Sequence, residues 1–266
     1  MTDPRPPISG LVDSHCHLDY ATPEERPAVI ARARAAGVGT MLTICTKLAE
    51  FTQVESIAAG DPDIWCSVGV HPHEAAAEPE AGAAQLVALA AHPRVVGIGE
   101  TGLDFHYDHS PRPRQAESFR AHCAAARATG LPLIVHTREA DAETIRILLE
   151  EKPPSGVIHC FSTGRELAEK ALEIGFYISL SGIVTFRRAD ALRAIARDVP
   201  LERLLIETDA PYLAPEPLRG RPNEPAFIVH TAAAVAKLKG VEVAELAART
   251  AENFFRLFAK AKPACA

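Results

Sequence analysis

No two of the six cysteines stand at C-x-x-C spacing; they lie scattered at 16, 45, 66, 123, 160 and 265. That excludes a compact zinc finger, fits no disulfide framework, and leads us to expect reduced thiols in the cytoplasm. An apolar run long enough to span a bilayer is also missing, so no membrane association is expected. The opening MTDPRPPISG lacks the apolar centre of a secretory signal and reads as a lead-in over residues 1–10. Positive charge is in deficit: 28 Lys and Arg face 34 Asp and Glu, a formal net charge of −6. A protein holding nucleic acid by general attraction is usually basic. Any dealing with phosphate must rest on local groups or bound cations. No glycine-rich dinucleotide fingerprint follows the first apolar run, and no Ser-His-Asp or Cys-His nucleophile constellation appears. Neither a low-complexity linker nor a composition break divides the chain.

What is present is alternation. Short runs rich in Val, Ile and Leu recur at 11–17, 41–46, 64–70, 95–100, 131–136, 155–161, 176–181 and 203–209. Each has the length and composition of a buried strand. Between them lie amphipathic stretches such as PEERPAVIARARAAG, RQAESFRAHCAAARATG and GRELAEKALEIG, several ending in glycine as helices do. Strand–helix alternation predicts a parallel sheet with helical crossovers. Eight units in this length predict an α/β fold, a (β/α)8 TIM barrel. It is expected as a single domain over 11–259, with 227–259 adding one or two helices after strand eight and 260–266 a tail.

Polar residues then fall where such a barrel builds its sites, at the C-terminal ends of the strands. The first strand ends in His15 and His17, and the third runs into His71-Pro-His73. The fourth ends in Glu100, the fifth in His136, the sixth carries His159, and the eighth ends Glu207-x-Asp209. Side-chain alternation puts His15 and His17 on one face and turns Cys16 away; Cys160 beside His159 is likewise out of phase. A single strand-end histidine is more often a hydrogen-bonded core or rim residue than a ligand. A buried carboxylate such as Glu100 has fewer choices, because burial without a partner is costly. Four histidines and two carboxylates converging on one mouth point to metal. One catalytic zinc uses three protein ligands; this donor count suits a pair of divalent ions about 3.5–4 Å apart. Imidazole with carboxylate accommodates Zn, Mn, Fe or Co, and Mg less tightly.

The blocks VDSHCHLD, VGVHPH, GIGETGLDF, LPLIVHTREA, HCFS and LLIETDAPYLAP, then RGRPNEP and NFFRLF, span residues 12–258. In order and separation they resemble the TatD family of metal-dependent deoxyribonucleases, within the amidohydrolase-like barrels. The resemblance implies that His15, His17, Glu100, His136, His159 and Asp209 ligate two divalent ions (Mg, Mn or Zn), with Glu100 bridging. It implies that His71 and Glu207 stand where a third ion or the substrate phosphate is held. Arg138, which is also expected near a third ion or the substrate phosphate, and Asn223 match further recurrent positions, with loop support as the plainer alternative. Asp104 and Glu224 are expected to be structural or supporting. Asp13 is expected to orient a ligand histidine through its other ring nitrogen.

The chemistry implied is hydrolysis of a phosphodiester by an activated water, with Asp209 as ligand and general base and Glu100 beside it as a catalytic carboxylate. By the resemblance the substrate is DNA, as a single strand or at ends, degraded 3′→5′, with RNA as a second substrate. The same centre could instead hydrolyse a carbonyl ester such as a mischarged aminoacyl-tRNA, or serve a non-nuclease amidohydrolase. A monomer is expected. His106 and His109 border the mouth or face solvent; His92, His122 and His230 read as packing or surface residues. Trp65 reads as packing, and Arg187 and Arg188 as a solvated loop that could instead meet a phosphate backbone.

Overall fold

The computed structural model describes residues 9–262, so the expected lead-in and tail fall largely outside the described residues. Every apolar run becomes a strand. In order they are β1 (Leu11–Cys16), β2 (Val38–Thr43), β3 (Ile64–Val68), β4 (Val95–Asp104), β5 (Leu133–Arg138), β6 (Gly156–Ile158), β7 (Tyr177–Leu180) and β8 (Leu204–Ile206). The crossovers carry α1 (Arg26–Ala35), α2 (Phe51–Ala59), α3 (Ala83–Ala90), α4 (Arg112–Thr129), α5 (Asp141–Glu151), α6 (Arg165–Glu173) and α7 (Asp190–Asp198). The Ala-rich stretch after β8 forms α8 (Ile228–Lys239) and α9 (Val243–Leu257).

Neighbouring strands pair in parallel in the order β1 to β8. The chain just past β8 closes the ring: Asp209 N donates to His15 O at 2.9 Å and His17 N to Ala210 O at 2.8 Å. The result is the single-domain (β/α)8 barrel expected. Several boundaries differ from the sequence reading; β6 and β8, for example, end at Ile158 and Ile206, short of the expected residues 161 and 209. β2 starts at Val38, three residues early, and β4 continues past Glu100 because Thr101–Asp104 keep pairing with Val135–Arg138.

The barrel has two hydrophobic layers. Between strands and helices lies the larger one, which includes Leu11, Cys16, Met41, Phe119, Leu133 and Phe176. Inside the barrel, each strand contributes one side chain to a base layer: Val12, Leu42, Trp65, Val96, Ile134, Val157, Tyr177 and Leu205. Phe254 and Leu257 of α9, with Phe258 just after it, plug that layer from below. Burying each such side chain contributes roughly 1.5–3 kcal/mol. Arg94 lies over Trp65, 3.9 Å from its ring centre, and donates to the carbonyls of Asp61 and Pro62. The base is thus filled by apolar side chains, which leaves the opposite end for chemistry.

Candidate metal centre

The strand ends reach the mouth by local departures from regular pairing. In β1 the register shifts between Asp13 and Cys16. Val12 faces the inner layer while Cys16, of the same parity, faces the outer one. An irregularity of this kind re-aims side chains, and here it turns His15 inward. Asp13 fixes the kink: its carboxylate accepts from the backbone N of His15 (3.3 Å) and Thr208 (2.9 Å), and from the Thr208 hydroxyl at 2.5 Å. Burial pushes this carboxyl up to about 7 despite those bonds. In β4, Gly99 has φ +139 and packs so closely on Gly69 that a Cβ at Gly69 would sit 2.5 Å from the Gly99 Cα. Glu100 is presented from that crowded crossing. Asp209 (φ +57) and Cys160 (φ +43) adopt left-handed conformations at the ends of β8 and β6, a strained geometry that clusters at functional sites.

Around Glu100 the side chains converge. Its Oε1 lies 2.7 Å from His159 Nε2, 3.1 Å from His136 Nδ1 and 3.4 Å from His71 Nε2. Its Oε2 lies 3.3 Å from His15 Nε2. Asp209 Oδ1 is 3.5 Å from His17 Nε2 and 3.7 Å from His15 Nε2. Three groups have ligand atoms within 4.8 Å of one another: His15–His17–Glu100, His15–His159–Asp209 and His71–Glu100–His136. Glu100 belongs to two of them and His15 to two. Although His15 Nε2 is near both carboxylates, it makes a hydrogen bond with neither, and His15 Nδ1 and His17 Nδ1 are also buried without partners. Buried polar atoms are nearly always paired. Nitrogens and oxygens that approach without bonding are aimed at a common point, as donors to a cation are. The donor set fits divalent metal.

The electrostatics agree. Burial would raise the Glu100 carboxyl, but the surrounding His159, His71 and His15 outweigh it and hold it well below the usual carboxylate range. Asp209 is likewise lowered, with burial overcome by His17, His15 and His159. Burial drives His71 well down and His15 down. His159 is raised, because Glu100 and Glu207 overcome the burial that opposes its charge. The site is a negative charge trapped in imidazoles, and a cation is its natural complement.

The family model described as TatD related DNase matches residues 12–259. The chain belongs to that family. YcfH of Escherichia coli strain K12, named an uncharacterized metal-dependent hydrolase, is 47% identical over 254 residues, covering 93% of this chain and 95% of its own length. A Klebsiella pneumoniae protein named 3′-5′ ssDNA/RNA exonuclease TatD is 40% identical over 237 residues, covering 86% of this chain and 90% of its own. Among solved structures, the TatD homologue YjjV of Escherichia coli K12 superimposes with a TM-score of 0.85 at 28% identity, covering 95% of this chain and 99% of its own.

In this TatD-family barrel a cavity of about 990 Å³ opens over the cluster. His17, His71, Glu100, His136, His159 and Asp209 line it, with Lys47 and Arg138 at its wall. Several expected residues turn out to be placed differently. Glu207, expected beside a third ion or a substrate phosphate, is fully buried behind His159, outside the cavity wall. It accepts from Cys160 N at 2.7 Å and faces His159 Nδ1 at 3.3 Å. Asp13 supports His15 through its backbone; the ring nitrogen expected to meet it has no partner. Cys160, expected to face away, lines the cavity, because its left-handed turn breaks the alternation. Cys16 does face the outer layer, with its thiol donating to Leu42 O. Asn223 supports the loop after β8, donating to Thr208 O (2.8 Å) and Tyr212 O (2.6 Å). Glu224 pairs with Arg32 at the surface.

Asp104 meets two imidazoles. Its Oδ2 accepts from His136 Nε2 at 3.1 Å and from His73 Nε2 at 3.0 Å. Asp104 behind His136 and Glu207 behind His159 are two carboxylates each steadying an imidazole whose other nitrogen faces Glu100. His73 went unassigned in the sequence, although the H-P-H spacing marked it. Packing fits His122 and Trp65. His122, buried in α4, accepts from Val70 N at 2.9 Å and donates to Ser118 O.

Proposed function

We propose that this metal-dependent hydrolase cleaves phosphodiester bonds in DNA, removing nucleotides from the 3′ end of single strands, with RNA as a second substrate. The observation that carries this reading is one carboxylate, Glu100, shared between histidine groups at the floor of an open cavity. Family membership and the name of the Klebsiella relative support the choice of substrate.

His15, His17, Glu100, His136, His159 and Asp209 would hold two divalent ions, and His71 stands where a third could be bound. Such ions supply Lewis acidity and lower the pKa of water. The protein's own groups do the rest. Asp209, held ionised beside His17 and His15, is the carboxylate placed to take a proton from the attacking water. Arg138 and Lys47 on the cavity wall would hold phosphoryl oxygens and favour the charge that develops on them. Asp104 and Glu207 keep His136 and His159 from rotating out of place. An acidic chain can thereby receive an anionic substrate at a locally cationic floor.

The test is incubation of the purified protein with Mg²⁺ or Mn²⁺ and single-stranded oligonucleotides labelled at either end, beside a panel of carbonyl esters that includes mischarged aminoacyl-tRNA. Stepwise shortening from the 3′ end is expected. Turnover of the carbonyl esters with intact DNA, in protein confirmed to contain metal, would overturn the reading.

A further inference from the structure

The mouth of the barrel carries two features that the metal centre does not use. The first is aromatic. Among the described residues the most exposed large hydrophobic side chains are Tyr20, Tyr107, Leu149 and Tyr212, and all three tyrosines line the cavity. Tyr20 (55% exposed), in the turn after β1, and Tyr212 (49% exposed), in the loop after β8, meet edge to face with ring centres 5.9 Å apart. Both also approach the ring of His17, at 5.5 and 6.1 Å. Large aromatic side chains left half in water beside a site offer stacking surface.

The second feature is a local reversal of charge. Segment 181–189, after β7, holds Arg187 and Arg188 and no acidic residue; segment 210–222, after β8, holds Arg219 and Arg221 against Glu216 alone. All four arginines are exposed, and none has a carboxylate within 4.0 Å among the described residues. Arginines of the outer helices such as Arg112, Arg120, Arg146 and Arg165 are, by contrast, ion-paired. The two loops are joined: Arg219 lies over Phe186 at 3.8 Å from its ring centre, and Glu216 N donates to Thr185 Oγ1 at 2.9 Å. Tyr212 belongs to the same loop as Arg219 and Arg221.

Resting on the nuclease reading above, we propose that these loops and the tyrosine pair form a surface that binds single-stranded polynucleotide outside the metal centre. Tyr20 and Tyr212 stack an unpaired base at the cavity edge, and the four arginines hold backbone phosphates of the strand beyond it. Aromatic stacking combined with a basic track is the chemistry that takes single strands without reading sequence. A duplex, whose bases are already stacked, gains only the electrostatic part.

Binding of a fluorescent oligothymidylate of about eight nucleotides, a length within the range of known single-strand sites, is measured by anisotropy in chelator at several salt concentrations. Replacing all four arginines (R187Q, R188Q, R219Q, R221Q) should weaken binding at least tenfold and flatten the log–log salt slope by about 2–3. With metal restored, hydrolysis of bis(p-nitrophenyl) phosphate, which fills only the cavity, should be unchanged in that variant. Tyr20→Leu with Tyr212→Leu should weaken binding on the order of tenfold, while the corresponding Phe pair retains it. Wild-type affinity and salt slope in the arginine variant, equal binding of a duplex, or parallel loss of bis(p-nitrophenyl) phosphate turnover would each overturn the proposal. Wild-type protein that binds the strand but shortens none upholds the surface and overturns the nuclease reading. Strand shortening with unaltered binding in every variant does the reverse.

Discussion

The two ends of this barrel are built on opposite rules. At the base, eight strands each give one apolar side chain, α9 seals the layer, and the buried groups are almost all carbon. At the mouth, six of those strands lead into histidines or carboxylates, four cavity-lining residues (Glu139, Cys160, Asp209 and Leu213) hold left-handed backbone, and several buried ring nitrogens lack partners. The base contributes stability through burial. The mouth gives stability away to keep donors aimed inward. A barrel permits this division because its strands run through both layers, so the packed end anchors the strained one.

The sharpest way to break the comparison is to change one atom at the mouth. Glu100→Gln should lower hydrolysis by at least about a thousandfold, beyond the roughly 10–100-fold typical of outer partners. Elemental analysis should show lost metal, while circular dichroism remains that of the folded barrel. Asp209→Asn should fall similarly in turnover while retaining part of its metal. If either variant unfolds, the mouth is a structural element after all.

At the base the prediction reverses. Phe258→Ala should cost about 3–5 kcal/mol in denaturant unfolding. Its metal content and turnover, measured where the protein is still folded, should match the parent. A turnover loss as large as the stability loss would show that the two ends are coupled.

His122 lies between the two ends, buried against Val70 at the foot of the mouth. Burial lowers its pKa from 6.5 to about 4. Between those values the unfolded chain binds more protons than the folded one, so stability rises with pH across the window and is lost as pH falls through it. The loss should approach ~3 kcal/mol in metal-free protein. In His122→Gln the slope between pH 6.5 and 4 should flatten; an unchanged slope would assign the acid sensitivity to the carboxylates instead.

The smallest effect tests the supporting carboxylates. Asp104→Asn and Glu207→Gln should each reduce metal affinity or turnover about 10–100-fold. If Glu207→Gln is as damaging as Glu100→Gln, then Glu207 holds an ion directly.

Sequence reading succeeded where pattern and geometry coincide. Eight apolar runs became eight strands because buried parallel strands need little besides Val, Ile and Leu. The six residues expected as ligands were picked because barrel sites sit at strand ends, and the structure brings their side chains together around one floor. It failed where the backbone leaves regular alternation. The Cys160 turn brings that side chain to the cavity without any change in hydrophobic pattern, whereas Cys16 faces outward as expected. β4 was read short because Thr101–Asp104 looks polar, yet it pairs with β5 and delivers Asp104 to His136. Glu207 and Asp209 are two residues apart, yet the first lies behind an imidazole and the second lines the cavity.

The plug formed by α9 and Phe258 has a consequence for synthesis. Phe254, Leu257 and Phe258 follow all eight strands in the chain, so every strand leaves the ribosome before the layer they share can be closed. Until then the inner faces of Val12, Leu42, Trp65 and their counterparts stand open to water. The inner layer therefore closes last, and a chain stopped before α9 would leave those eight side chains uncovered.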